Sequence, residues 1–386
     1  MSLQTRIGHS PRGDLAVTLS GGGARAAYQV GVLRALARYL PGVRPVILTG
    51  ESAGAINVAY LAAHPGGFPE AIEGLAGLWS RLTADQLFRI GPLSLVYNVL
   101  RWGTRLISGG VPLAPKVRGL LDTAPLRSLL ERSLAPVNGE IVGITEQLEK
   151  GLLKAVALTT INYSTGQTVT WVQGGPMLDW ERPLRRSVKT RLTVDHVLAS
   201  AALPLMFPAV RLGNDWYGDG GVRLHTPLAP AIHLGAGRIL AISTRYRPTH
   251  EEADRPAVHG YPAPAQVAGI LLDAIFLDLI DHDALVLERL NRLLAMLPRE
   301  DWRDLRPVDL LVLRPSQDLA GLAADCESRL PRGLRFLTRG LGTRESSRPA
   351  LLSLLMFLPE YLQPLIRIGE SDVEARLDEI TKFVGE

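Results

Sequence analysis

Two short apolar runs, each cut off by a glycine-bearing turn and each followed by a helical pattern, constrain this chain more than any other feature in it. Leu15 to Leu19 (LAVTL) is β-rich and ends at Ser20-Gly21-Gly22-Gly23, after which Ala27, Val30, Leu33, Ala37 and Leu40 fall at helical spacing. Pro41-Gly42 stops that helix. Val46 to Thr49 (VILT) then reads as a second buried strand, running into Gly50-Glu51-Ser52-Ala53-Gly54 and a helix over residues 55–63. Strand, helix, strand, helix within roughly 65 residues implies a parallel sheet with a right-handed crossover. Ligands of such sheets bind beyond the carboxyl ends of the strands, where both glycine turns lie.

Further strands are expected at 154–160, 168–172, Trp216-Tyr217, 238–243 and 308–313, with helices at 126–134, 194–202 and 227–234. The helix at 126–134 follows Asp122-Thr123-Ala124-Pro125, a polar cap with an early proline, and the one at 227–234 opens on Pro227. Alternation of strand and helix holds to about residue 246, which marks an α/β domain over 1–246. Residues 87–121 interrupt it, mixing Gly and Pro with apolar and basic groups at no clean period, and read as an insertion or lid over the sheet. As a lid its apolar side chains would face the site and Arg89, Arg101 and Arg105 would face anionic groups; a folded subdomain packed on the core is the equal alternative. The run Glu181 to Arg191 reads as a solvated basic loop. Residues 247–264, rich in Pro, His and acid, form the expected linker. From Val267 the apolar positions 267, 270, 271, 274, 277, 280, 284 and 287 predict a long amphipathic helix, opening a mostly helical region over 265–386 packed on or beside the first domain.

Composition narrows the function classes. With 46% apolar and 21% charged residues the chain is globular, neither disordered nor fibrous. Its single cysteine, Cys326, forms no internal disulfide and supplies no thiolate metal cluster, as expected in a reducing compartment. The net charge of +4 (42 basic minus 38 acidic residues) is spread along the chain, so no nucleic-acid partner is expected. The amino terminus lacks an apolar stretch of signal-peptide length, and the longest apolar runs fall short of the about 18 residues that span a bilayer. A cytoplasmic protein with peripheral membrane contact is the expectation.

Three segments carry the chemistry. Gly50-Glu51-Ser52-Ala53-Gly54 has the G-x-S-x-G form between strand and helix that a nucleophile elbow requires, with Gly50 and Gly54 leaving space around a strained serine. Ser20 to Arg25 follows a strand and opens a helix, so its backbone N–H groups converge on an anion: the oxyanion of an acyl intermediate, or a pyrophosphate. Gly21-x-Gly23-x-x-Ala26 matches the loose dinucleotide fingerprint, but Glu51 is the only acid near the end of the second strand, inside the elbow. A tight turn with no ligand remains a third reading. Asp219, in Gly218-Asp219-Gly220-Gly221, is a carboxylate between glycines at the end of a strand, able to approach another backbone closely. His196, His225 and His233 lack a distinctive context and read as structural.

Taken together and in this order, Ser20-Gly21-Gly22-Gly23-Ala24-Arg25, Gly50-Glu51-Ser52-Ala53-Gly54 and Asp219-Gly220-Gly221 resemble the patatin-like phospholipase family. Ala199-Ser200-Ala201-Ala202-Leu203-Pro204 with Phe207-Pro208 looks like that family's segment ahead of its Asp-Gly motif. The resemblance covers roughly residues 14 to 246. It implies an α/β three-layer sandwich with a mainly parallel central sheet, here followed by a helical carboxy-terminal region. It also implies a Ser52–Asp219 dyad without histidine, Gly220 and Gly221 supporting the aspartate. Gly21, Gly22, Gly23, Arg25 and Ala53 would form the oxyanion region. Two positions depart from the family: Ala26 stands where glycine is usual after the Arg, and His225 where Asn often precedes the proline, which leaves His225 open as a third catalytic member. The implied activity is that of a lipid acyl hydrolase, of phospholipase A or carboxylesterase type, needing neither cofactor nor metal. A lone carboxylate is a weak base at its reference pKa of about 3.9, so a dry cleft must raise its proton affinity. A catalytically silent lipid-binding module and a nucleotide-dependent enzyme using the Gly21 loop are the rival readings.

Overall fold

The structure is a computed structural model that describes residues 13–89, 119–175, 180–224, 226–254, 279–335 and 350–385, together with 267 and 270. Most of the expected insertion at 87–121, much of the linker, the first turns of the helix expected from Val267, and His225 lie outside the described residues. The strands are β1 (Leu15–Leu19), β2 (Ile47–Glu51), β3 (Ala155–Asn162), β4 (Thr168–Gly174), β5 (Glu181–Arg182), β6 (Arg185–Lys189), β7 (Val210–Leu212), β8 (Asp215–Asp219), β9 (Arg238–Ile242) and β10 (Asp309–Leu313); all but β5, β6 and β7 stand where the sequence leads one to expect them. They join in one sheet of order β10-β9-β1-β2-β3-β4-β6-β5, with β8 paired to β3 and β7 to β8. Pairing is parallel from β10 through β3 and between β4 and β6, and antiparallel at β3–β4, β3–β8, β5–β6 and β7–β8. The result is the mainly parallel sheet of an α/β sandwich.

β1, β2 and β3 are buried along their whole length, as the unbroken apolar runs demand of strands covered on both faces. Helices α1 (Ala27–Tyr39), α2 (Ala53–Ala63) and α3 (Phe68–Trp79) follow the first two strands, and α4 (Ala124–Leu134), α5 (Val142–Glu149), α6 (Val194–Ser200) and α7 (Ala229–His233) follow in turn. Beyond β9 come α8 (Leu279–Met296), α9 (Leu319–Cys326), α10 (Ala350–Leu355), α11 (Pro359–Ala375) and α12 (Leu377–Gly385). One apolar cluster lies between the sheet and α1–α6 with α9–α11; a second, including Ile47, Ala157, Ala231 and Ile239, lies on the other face beneath α7 and α8.

Two local expectations are corrected. Glu181 to Arg191, expected as a basic loop, contains the β5–β6 hairpin, because backbone pairing to the exposed edge of β4 requires no apolar alternation; its charges suit an edge strand. The helix expected at 227–234 is confined to Ala229–His233, with Pro230 rather than Pro227 in its first turn.

The carboxy-terminal region enters the core. β10 pairs with β9, and α11 crosses α1 with backbones touching. A Cβ on Gly31 would stand 1.9 Å from the Ile366 carbonyl oxygen, and one on Gly369 would stand 2.3 Å from that of Tyr28, so glycine on both helices permits the approach.

Candidate active site

The site originates in β3, whose eight residues are long enough to pair with two strands on one edge. β2 runs parallel to it and ends with Glu51 opposite Thr159; β8 runs antiparallel and ends with Asp219 opposite Thr160. The carboxyl ends of β2 and β8 therefore meet head to head, bringing together segments distant in sequence. Successive strand residues face opposite sides of the sheet, so Ser52, one beyond Glu51, shares the side of Asp219.

Ser52 occupies φ 53° and ψ −131° at the start of α2, a conformation costing about 1–3 kcal/mol in a non-glycine residue. Its neighbours hold it there. A Cβ on Gly50 would stand 2.7 Å from the Gly54 carbonyl oxygen, and one on Gly54 would stand 2.3 Å from that of Leu19. The Ser52 N–H donates to Ser200 Oγ at 3.1 Å, and that hydroxyl donates to the Thr159 carbonyl at 2.7 Å. Ser200 thus ties the elbow to β3.

Asp219 is fully buried. Its Oδ1 accepts the Gly221 N–H at 3.0 Å, while Oδ2 has no hydrogen-bond partner. Burial pushes its pKa up to about 7; the nearby Ser52 hydroxyl and the Gly221 N–H oppose that shift. Gly220 passes so close to β3 that a Cβ there would stand 2.2 Å from the Thr159 carbonyl oxygen.

The glycine loop closes over the serine. A Cβ on Gly21 would stand 2.9 Å from Ser52 Cβ, and Gly22, Gly23, Ser52 and Ala53 all line one cavity. Gly21, Gly22, Gly23 and Ala53 thus gather where the sequence reading puts them. Arg25 does not join them. It is absent from the cavity lining, and its buried guanidinium donates through Nε to Ser353 Oγ of α10 at 2.7 Å. The physical reason is the first turn after the loop, a tight 3₁₀ turn over Gly23–Ala26 whose Gly23 lies against the Leu354 carbonyl, so that α10 receives the Arg25 side chain.

The wall of the cavity is almost entirely apolar: Ile56, Trp79, Leu126, Leu130, Phe207 and Phe357 contribute, and Ser52 is among its lining residues.

Several buried groups at the site have partners that the sequence reading does not assign. Glu51 Oε1 accepts the Gly21 N–H at 3.5 Å, Oε2 is unpartnered, and burial followed by the nearby Asp219 pushes the pKa up to about 8. A polar chain crosses the core: Trp79 Nε1 donates to Asn57 at 2.8 Å, Asn57 to Gln29 at 3.1 Å, and Gln29 to the Ser20 carbonyl at 2.7 Å. Glu51 and Ser20 stand inside the quoted motifs, whereas Trp79, Asn57 and Gln29 stand in none. Only the apolar context of Asn57 within α2 marks it in the sequence, as a polar residue needing a partner. Two of the histidines weighed in the sequence, His196 and His233, are committed elsewhere. His196 Nδ1 joins the cap of α6 through Thr193, with its pKa lowered to about 4 by burial, and His233 stacks on Trp180.

Comparison with known proteins decides the family. The family model described as patatin-like phospholipase matches residues 17–232, more than half of the chain. The chain belongs to the patatin-like phospholipase family. The match spans all three motifs, from β1 to α7. No curated protein sequence matches. Similar solved structures include human GIVD cytosolic phospholipase A2 in complex with methyl gamma-linolenyl fluorophosphonate and terbium chloride, at 15% identity over 96% of this chain and 59% of that one, with a TM-score of 0.47. VipD from Legionella pneumophila matches at 14% identity over 79% of this chain and 62% of that one, TM-score 0.33. The ExoU–SpcU complex of Pseudomonas aeruginosa matches at 17% identity over 96% of this chain and 77% of that one, TM-score 0.28. This patatin-like chain spans about three-fifths of the length of the first two.

Proposed function

We propose that the protein is a lipid acyl hydrolase of phospholipase A or carboxylesterase type, cleaving carboxyl esters through a Ser52–Asp219 dyad and an acyl-serine intermediate. Membership of a phospholipase family supports lipid hydrolysis. The observation that carries the dyad is a buried Asp219 carboxylate with one oxygen unpartnered and a pKa near 7, beside a backbone-strained serine at an apolar cavity.

The acyl chain lies in the cavity, where burying methylenes contributes about 0.8 kcal/mol each. Asp219 takes the Ser52 hydroxyl proton on Oδ2 as Oγ attacks the ester carbonyl. Negative charge appears on the carbonyl oxygen, met by N–H groups of the glycine loop and of Ala53 at the positive end of α2. Collapse of the adduct passes the proton from Asp219 to the leaving alkoxide and leaves acyl-Ser52. Water then attacks the acyl carbon, giving its proton to Asp219; as the acyl–Oγ bond breaks, Asp219 returns that proton to Ser52 Oγ, which releases the carboxylic acid and restores both the serine hydroxyl and the carboxylate. A base with a pKa near 7 suits both transfers, since it accepts and returns a proton at neutral pH. Among the described residues no helix is long and apolar enough to cross a membrane, and a lipid substrate would be taken from a membrane surface.

A fluorophosphonate probe and a p-nitrophenyl acyl ester test this reading. The wild-type chain should be labelled at Ser52 and turn the ester over; Ser52→Ala and Asp219→Asn should each lose turnover by at least about a thousandfold. Full activity in Ser52→Ala would end the proposal.

A further inference from the structure

We infer that Thr244 is a positioning residue for the reaction: its hydroxyl turns the Gly21–Gly22 peptide so that the Gly22 N–H faces the oxyanion formed at Ser52. The inference rests on the acyl-serine reading above and specifies which peptide of the loop serves it.

Thr244 lies two residues beyond β9, is buried, and donates from Oγ1 to the Gly21 carbonyl at 2.7 Å. Its own N–H donates to Ser20 Oγ at 3.3 Å, which holds the threonine against the loop. A trans peptide is planar, so its C=O and N–H point in opposite directions. No described peptide is cis. Anchoring the Gly21 carbonyl on Thr244 therefore aims the Gly22 N–H away from β9, toward the cavity that Gly22 and Ser52 share.

The preceding peptide is turned the other way. The Ser20 carbonyl is held by Gln29 Nε2 at 2.7 Å and the Gly21 N–H by Glu51 Oε1 at 3.5 Å. The Gly21 N–H is thus engaged by Glu51, and the second peptide becomes the oxyanion donor. Gly22 itself reflects the arrangement: at φ 148° a Cβ would stand 2.3 Å from Thr244 Oγ1, so this contact admits only glycine. A threonine whose hydroxyl merely filled space would be replaceable by valine. One that orients a donor would not.

Removing a single oxyanion donor costs roughly 10²–10³ in kcat, and a donor left in place but free to turn should lose less, about 10–100-fold. Thr244→Val, which preserves volume, and Thr244→Ala, which relieves it, both delete the hydroxyl. Each should lower kcat for a p-nitrophenyl ester by about 10–100-fold with KM within about twofold, and should weaken an alkyl trifluoromethyl ketone, which forms a tetrahedral adduct on the serine, by a similar factor. Thr244→Ser should recover most of the loss. Thermal melts of all three accompany the kinetics. Unchanged kcat in the folded Val or Ala variant, a change confined to KM, or activity that follows melting temperature instead of the hydroxyl would overturn the assignment. Failure of the underlying reading has a different signature: the wild-type chain would show no turnover, or Ser52→Ala would retain it.

Discussion

Asp219 and Glu51 are both acids deprived of water, but their surroundings give them different tasks. Asp219 retains one bare oxygen beside a serine, while Glu51, on the other side of the sheet, spends one oxygen on the Gly21 N–H. Only the first is placed to receive a proton from Ser52 Oγ. With its pKa raised from 3.8 to about 7, Asp219 is largely protonated in weak acid and becomes a competent base only as pH rises through 7. The kcat/KM of a neutral ester should therefore climb about tenfold per pH unit below 7 and level off above it. A stopped-time assay from pH 5 to 9 checks this; a rising limb centred near 4 would mean that the carboxylate works as if exposed.

At the scale of elements, the decisive feature is the head-to-head meeting of β2 and β8 along one edge of β3. Neither strand alone determines the distance between Ser52 and Asp219; the register on β3 does, with Thr159 and Thr160 as adjacent docking points. α6 secures that junction through Ser200, which accepts from the Ser52 N–H and donates to the Thr159 carbonyl. Ser200→Ala leaves both buried groups without this partner and should destabilise the fold by about 1–3 kcal/mol. It should also lower kcat more than it raises KM, because the strained elbow loses its restraint. Chemical denaturation and steady-state kinetics on the same preparation separate the two effects; a stability loss with kcat unchanged would make Ser200 a packing residue only.

For the whole molecule, the carboxy-terminal third is bound into the layer that carries the site. β10 extends the sheet beyond β9, α11 crosses α1 where Gly31 and Gly369 touch, and α10 supplies Ser353 to Arg25 and the Leu354 carbonyl to the space beside Gly23. α10 also contributes Leu354 and Leu355 to the cavity wall. A chain ended at residue 246 would expose the α1 face and the β9 edge and leave the Arg25 guanidinium without the Ser353 hydroxyl. We expect it to lack a cooperative thermal transition and to bind an apolar dye at room temperature, where the full chain does neither. A cooperatively folded, active fragment would show that the first domain stands alone.

Much was legible in the residues alone. LAVTL and VILT, with a glycine turn behind each, determined the parallel strands, because an apolar run covered on both faces has few other solutions; Gly50-Glu51-Ser52-Ala53-Gly54 and Asp219-Gly220-Gly221 marked the two chemical groups because tight backbone approaches admit only glycine around them. The Arg25 side chain goes where no local pattern points, since the loop gives no hint that a helix more than 300 residues later receives it. Gln29 and Thr244 stand in no motif, and Glu51 and Ser200 stand in segments whose pattern does not say what their side chains hold. Their roles arise from hydrogen bonds between buried groups brought together from separate strands and helices, and such partners are set by register and packing in three dimensions, on which local sequence has no hold.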